Sequence, residues 1–223
     1  MLVFPMMTAL DILGPFEVFA RAPHCKAELV WKNREPIQGD TGLTVVPDRS
    51  FDDAPQYDVL VVAGGPGQTA LMEDDETLDF LRRQANAAGM VTSICTGSLL
   101  LAAAGLLQGH KATCHWLSMD MLAIFGIEAV PERVVVDGSR ITGAGVTSGL
   151  DFAFTVLAEL RGAEVAKSLQ LLLEYDPAPP FNSGHPRIAT PELVNKVRMQ
   201  AADMLAKRRE ASTRAAGRLG RHE

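Results

Sequence analysis

The stretch "MVTSICTGSLLLAAAGLL", residues 90–107, changes character half-way. MVTSI (90–94) is short and mostly apolar, the pattern of a strand buried on both faces. After Cys95 the small residues Thr96, Gly97 and Ser98 lead into a run of Leu and Ala, which forms helix well. A strand feeding directly into a helix is half of a βαβ unit. Working outward, the same alternation recurs. YDVLVVAGG (57–65) is the clearest buried strand, and EDDETLDFLRRQANAAG (73–89) is an amphipathic helix with an acidic start and a Gly89 stop. Upstream lie the apolar start MLVF (1–4), then ALDILGPFEVFARA (9–22), a helix with Leu10, Leu13, Phe16 and Phe19 three apart. AELVW (27–31) and GLTVVPD (42–48) read as strands. Downstream, ERVVVDGSRIT (132–142) is a hairpin turning at Asp137-Gly138. Residues 147–175 form a long apolar helix with a break near Gly162, and a Pro-rich loop and a last helix over 191–210 follow.

This alternation predicts an α/β fold with a doubly wound, mostly parallel sheet and helices on both faces. A single domain is expected over 1–200, with 201–223 a basic, mobile tail. The first strand has few residues before Phe4, which suggests a trimmed N-terminus.

Composition narrows the function. Hydrophobic residues make up 47% and charged residues 22% of the 223, as in a globular protein with a full core. The net charge of -6 offers no global basic field for nucleic acid. No apolar run is long enough to cross a membrane, and MLVFPMM lacks the features of a signal peptide. Cys25, Cys95 and Cys114 are odd in number and widely spaced, which argues against a disulfide framework and for a reducing cytoplasm. The histidines (His24, His110, His115, His185 and His222) form no HExxH or similar pair, so no metal site is expected.

In open parallel sheets ligands bind beyond the C-terminal strand ends. Three candidates fall there. A thiol at a helix N-terminus meets unpaired N–H groups and the positive end of the helix dipole, and both favour thiolate. Position alone leaves Cys95 equally a nucleophile or a small apolar residue filling the core. Gly64 and Gly65 follow a buried strand, and their amides, with that of Thr96, are candidates for an oxyanion hole; an ordinary turn is the alternative. GGPG has neither the Lys-Ser/Thr of a phosphate loop nor a GxGxxG fingerprint. Asp11 lies in an apolar helical run, where a carboxylate is costly unless partnered and its pKa is raised. It is either an acid for the site or a helix-start residue bonding backbone amides. Glu17 reads as structural, as do Cys25 and Cys114. His115 reads as a pocket-wall or structural histidine rather than a partner of Cys95. Trp116 and Phe181 stand as either pocket wall or packing.

Together these segments resemble the ThiJ/PfpI superfamily. LDILGPFEVF, VLVVAGGPG, SICTGSLLLAAAGLLQGHKATCHW and AGVTSGLDFAF (144–154) keep the family's order over almost the whole chain. The resemblance implies a flavodoxin-like domain similar to class I glutamine amidotransferases, usually dimeric. It puts the reactive cysteine of a strained nucleophile elbow at Cys95 and the partnering acid at Asp11, where many members carry Glu. LEYDPAPPFNSGHP (173–186) is similar to the pattern of the isonitrile hydratases. That implies Asp11, Cys95 and Thr96 as catalytic residues, and cofactor-free hydration of an isonitrile to a formamide through a cysteine thioimidate. Family proteases place His after the nucleophile, so Thr96 argues against proteolysis. AraC-type regulators share the LDxxGP and CTG elements, so small-molecule or redox sensing is one alternative, and glyoxalase or deglycase chemistry is another. The partners implied are a small isonitrile and a second copy of the chain, without nucleic acid or membrane.

Overall fold

The computed structural model describes residues 1–219. In chain order the elements are α1 (Ala9–Arg21), β1 (Val30–Trp31), β2 (Ile37–Gln38), β3 (Thr44–Val45), β4 (Arg49–Ser50) and β5 (Val59–Val62). Then come α2 (Gln68–Leu71), α3 (Asp75–Ala85), β6 (Met90–Ile94), α4 (Gly97–Ala103) and β7 (Lys111–Ala112). A 3-10 helix (Met119–Phe125) precedes β8 (Glu128–Ala129), β9 (Val134–Asp137) and β10 (Arg140–Gly143). The chain continues with α5 (Ser148–Arg161), α6 (Ala163–Leu172), α7 (Pro191–Gln200) and α8 (Ala202–Leu219).

The central sheet has the order β5-β6-β10-β9. β5, β6 and β10 run parallel, and β9 returns antiparallel through the hairpin at Gly138 (φ +60°). On the other side of β5 the chain start takes a strand position: Leu2 bridges in parallel to both Val62 and Val30, and β4 extends the row beyond β1. Met1–Phe4 are all buried, so even this short segment sits in the core. AELVW shortens to Val30–Trp31, and GLTVVPD supplies β3, which pairs antiparallel with β2 outside the main sheet.

Two groups of helices cover the sheet. α1 packs on α5, which lies on β10, while α2, α4 and α8 pack on one another. Leu99, Leu100 and Leu101 are all fully buried, so α4 is enclosed on every side. This explains its unbroken Leu and Ala composition. The long apolar helix breaks at Gly162, whose φ of +86° suits glycine.

The expected basic tail is different in the structure. Residues 202–219 are helix α8, and Ala211, Ser212 and Ala215 are buried against the body of the protein. Small residues on one face let the helix lie close, and its arginines find carboxylates. Arg214 holds Glu73 with two bonds of 2.8 and 2.9 Å, Arg218 reaches Asp75, and Arg209 reaches Asp120. The remainder of that expected tail, 220–223 with His222, lies outside the described residues.

Candidate active site

Three segments meet at the C-terminal edge of the sheet. β6 ends at Ile94 and Cys95 follows with φ +57°, in the left-handed region. That conformation costs an L-residue roughly 1–2 kcal/mol. It is held by the Cys95 N–H, which donates to Gly143 O at 3.0 Å. The strained turn between β6 and α4 is the geometry of a nucleophile elbow.

The end of β5 is pressed against this turn. A Cβ on Gly64 would lie 2.4 Å from the Thr96 nitrogen and 2.9 Å from the Cys95 Cβ, so no side chain fits there. Gly65 has φ +130°, a conformation that excludes other residues. The glycine pair thus brings backbone amides within reach of the site.

Those amides are committed. The Gly64 N–H donates to Asp11 Oδ2 at 2.8 Å, and the Gly65 N–H donates to Thr96 Oγ1 at 3.0 Å. Neither is free to receive a developing anion, which departs from the oxyanion-hole expectation. Their visible effect is to fix the acid and the hydroxyl. Asp11 does bond a backbone amide, but one 53 residues away rather than one in its own helix. Its other oxygen, Oδ1, is buried without a hydrogen-bond partner.

Burial sets the charges. Asp11 is fully buried, and loss of water pushes its pKa up to about 7; the Gly64 amide and the nearby Cys95 thiol pull it down, and Asp40 pushes it up. Thr8, just ahead of α1, gives its hydroxyl to Asp40 at 2.8 Å and so fixes that second carboxylate nearby. Cys95 is only 5% exposed, and burial, then Asp11, then Cys114 hold its thiol well above the ordinary range. The Thr96 amide, and behind it Arg208, act in the opposite direction. Burial therefore outweighs the Thr96 amide that faces the sulfur, and the thiol keeps its proton at rest.

His115 forms no hydrogen bond with Cys95. Its Nδ1 accepts the Leu117 N–H at 3.2 Å, and burial lowers its pKa to about 4, so the ring is neutral with its proton on Nε2. Glu17 pairs with Arg21 on the surface, Cys25 is half-buried, and Phe181 is exposed. Trp116 stacks under Arg198. The sequence does not disclose Asp40 as a neighbour of Asp11, or Cys114 and Arg208 as a thiol and a charge felt at Cys95, because no local pattern marks any of them. Among the described residues no three His, Cys, Asp or Glu side chains converge to hold a metal ion.

The sequence profile of the DJ-1/PfpI family matches residues 1–159. The chain belongs to the DJ-1/PfpI family. An isonitrile hydratase of Pseudomonas putida is 49% identical to it over 98% of this chain and 96% of that protein. A glutathione-independent glyoxalase of Caenorhabditis elegans is 29% identical over 60% of this chain and 73% of its own. Among solved structures, a ThiJ/PfpI family protein of Pseudomonas syringae superposes with a TM-score of 0.92 at 42% identity, covering 95% of this chain and 88% of that one. The DJ-1/PfpI membership and the doubly wound α/β architecture agree with what the sequence predicts.

Proposed function

We propose that this protein is an isonitrile hydratase that converts R–N≡C and water to an N-substituted formamide. The observation that carries the reading is the buried cluster of Asp11, Gly64, Gly65, Thr96 and Cys95. One carboxyl with a free oxygen and one strained thiol in the same buried cluster support the reading. The end-to-end likeness to the Pseudomonas putida enzyme supports it.

The terminal isonitrile carbon accepts both a nucleophile and a proton. The Cys95 thiol passes its proton by way of Asp11 to that carbon while sulfur bonds to it, giving the thioimidate R–N=CH–S. An acid with a pKa of about 7 can take and return this proton near neutrality. Water then adds across C=N, its oxygen to carbon and a proton to nitrogen, with Asp11 as base. The C–S bond breaks, the hydroxyl proton returns to sulfur through Asp11, and R–NH–CHO leaves. Thr96 Oγ1, held by the Gly65 amide, orients the water or the substrate nitrogen. No cofactor enters this scheme.

The test is formamide release from an alkyl or cyclohexyl isonitrile. Wild type turns over, and Cys95→Ala, checked for its fold, falls below detection. A folded wild type with no turnover of any isonitrile overturns the reading, and Cys95-dependent consumption of methylglyoxal would replace it with a glyoxalase.

We infer that the chain works as a homodimer. Leu10 and Leu13 of α1 are exposed, and with Leu150, Phe154 and Leu173 they line a shallow apolar hollow on the α1/α5 face. Sedimentation at twice 24.0 kDa, reduced to the monomer by Leu13→Asp, is the expected result. Free thiols suit a cytoplasmic setting. Among the described residues no helix is long and apolar enough to cross a membrane.

A further inference from the structure

Helix α8 carries one arginine unlike its neighbours. Arg209, Arg214 and Arg218 each meet a carboxylate at the surface. Arg208 is 3% exposed, and among the described residues no carboxylate pairs with it. Its Nη1 donates to Ser118 Oγ at 2.9 Å, its Nη2 meets only the weak acceptor Met204 Sδ at 3.7 Å, and its Nε has no partner. A buried guanidinium stays charged, and leaving its donors unmet is costly. The unmet edge, Nε with Nη2, presents the pair of parallel N–H groups that matches a carboxylate.

Its place points to the site. α8 packs on α4, the helix that Cys95 precedes, and on the 3-10 helix that follows His115 and Ser118. Its charge is felt at Cys95, Cys114 and His115. At Cys95 the pull is weaker than that of the Thr96 amide, and no hydrogen bond joins the two side chains. Arg208 therefore lies in the same buried layer as the sulfur, across the α4/α8 packing, but is not its contact partner. Gln68, on the neighbouring α2, is also fully buried, with neither carboxamide atom partnered. Two helices that pack on each other thus both bring unmet polar groups into this layer.

We propose that Arg208 forms an anion subsite beside Cys95 that takes a carboxylate carried on the R group of the isonitrile. The inference rests on the hydratase reading and narrows its substrate class to acidic isonitriles. Arg208 contributes binding and orientation, and the bond-making steps stay with Cys95 and Asp11.

The experiment compares kcat/KM for isocyanoacetate and for its methyl ester. Wild type is expected to favour the acid by at least about tenfold, as one charge-assisted bidentate contact allows. In Arg208→Met the acid-to-ester ratio falls to near one, and in Arg208→Lys, which keeps the charge but not the fork, it lies between. Calorimetry with the product N-formylglycine against its methyl ester reads the same preference on wild type alone, so the proposal survives a variant that fails to fold. Turnover of the ester with no preference for the acid overturns the subsite and leaves the hydratase standing. So does a ratio unmoved by the substitutions while the pH dependence of Cys95 alkylation shifts, because Arg208 would then serve the sulfur only. Turnover of cyclohexyl isonitrile but of neither compound also overturns the subsite, whereas turnover of none of the three overturns the hydratase reading. N-formylglycine binding that wild type shows and Arg208→Met lacks would still uphold the subsite.

Discussion

The elbow at Cys95 and helix α8 both bury ionisable side chains, and they resolve the charge in different ways. At the elbow the groups are an acid and a thiol, which can hold their protons. Desolvation lifts both pKa values, and a dry pocket is tolerated because little charge is placed in it. On α8 the buried group is a guanidinium, which cannot give up its proton at any working pH. Burial there leaves a fixed positive charge with an open edge. The first region is poised to move one proton, and the second to hold one anion.

The largest effect that would break this comparison is at Asp11. Asp11→Asn keeps an acceptor for the Gly64 amide but removes the shuttle, and turnover is expected to fall by roughly 10²–10⁴-fold. In wild type kcat/KM rises with pH through about 7, as the acid ionises, and the variant loses that limb. The stability sign follows from the same group. Its pKa is 3.8 unfolded and about 7 folded, so the native state binds the extra proton between these values. Wild-type stability therefore declines as pH rises from about 4 to about 7, and the full penalty, on the order of 4 kcal/mol, is present above that. Urea melts at pH 5 and pH 8 should show the variant gaining on wild type at the higher pH. Parallel curves would mean that Asp11 is ionised throughout.

Gly64 tests how tightly the elbow is built. In Gly64→Ala the methyl would overlap the Thr96 backbone, so the β5 end must retreat. A loss of about 1–3 kcal/mol in thermal or denaturant stability is expected, as for overpacking elsewhere. Activity falls with it, because Asp11 and Thr96 are both hung from this turn. Cys95 itself offers a smaller and opposite test. Cys95→Gly should be more stable than Cys95→Ala by about 1 kcal/mol, since glycine adopts the left-handed turn without strain. Equal melting temperatures would show that the turn relaxes in the variants.

The same contrast accounts for what the sequence disclosed. The elbow is written locally: a buried strand, Cys95, small residues and a helix lie within a dozen positions, and VLVVAGG marks its neighbour by the same device. Asp11 is legible because a carboxylate in an apolar helix demands a partner. Its bond to Gly64 and the engagement of both glycine amides are not legible, because they depend on how closely two strand ends approach. The end of α8, beyond the helix expected to residue 210, reads as a tail because Arg, Ala and Gly in series resemble a solvated end. The helix's partners Glu73, Asp75, Asp120 and Ser118 lie about 90 to 145 positions away, and nothing in the local pattern points to them. Arg208 looks like its neighbours in sequence, and only burial separates it from them.

The smallest expected effect sharpens that separation. Arg214 and Glu73 form the best-shaped ion pair on α8, yet Arg214 is 57% exposed, so water and salt screen the attraction. Arg214→Ala should lower the melting temperature only slightly, and less at high ionic strength. Arg214 holds the Glu73 carboxyl below its usual range, so the contribution is present above pH 4.5, the ordinary carboxyl value, and is lost as acid protonates it. Melts of wild type and variant should therefore converge below about pH 4. A large drop in melting temperature, insensitive to salt, would mean that α8 is fastened by its surface charges. Its attachment would then no longer rest on the buried face of Ala211, Ser212 and Ala215, the face that fixes where Arg208 points.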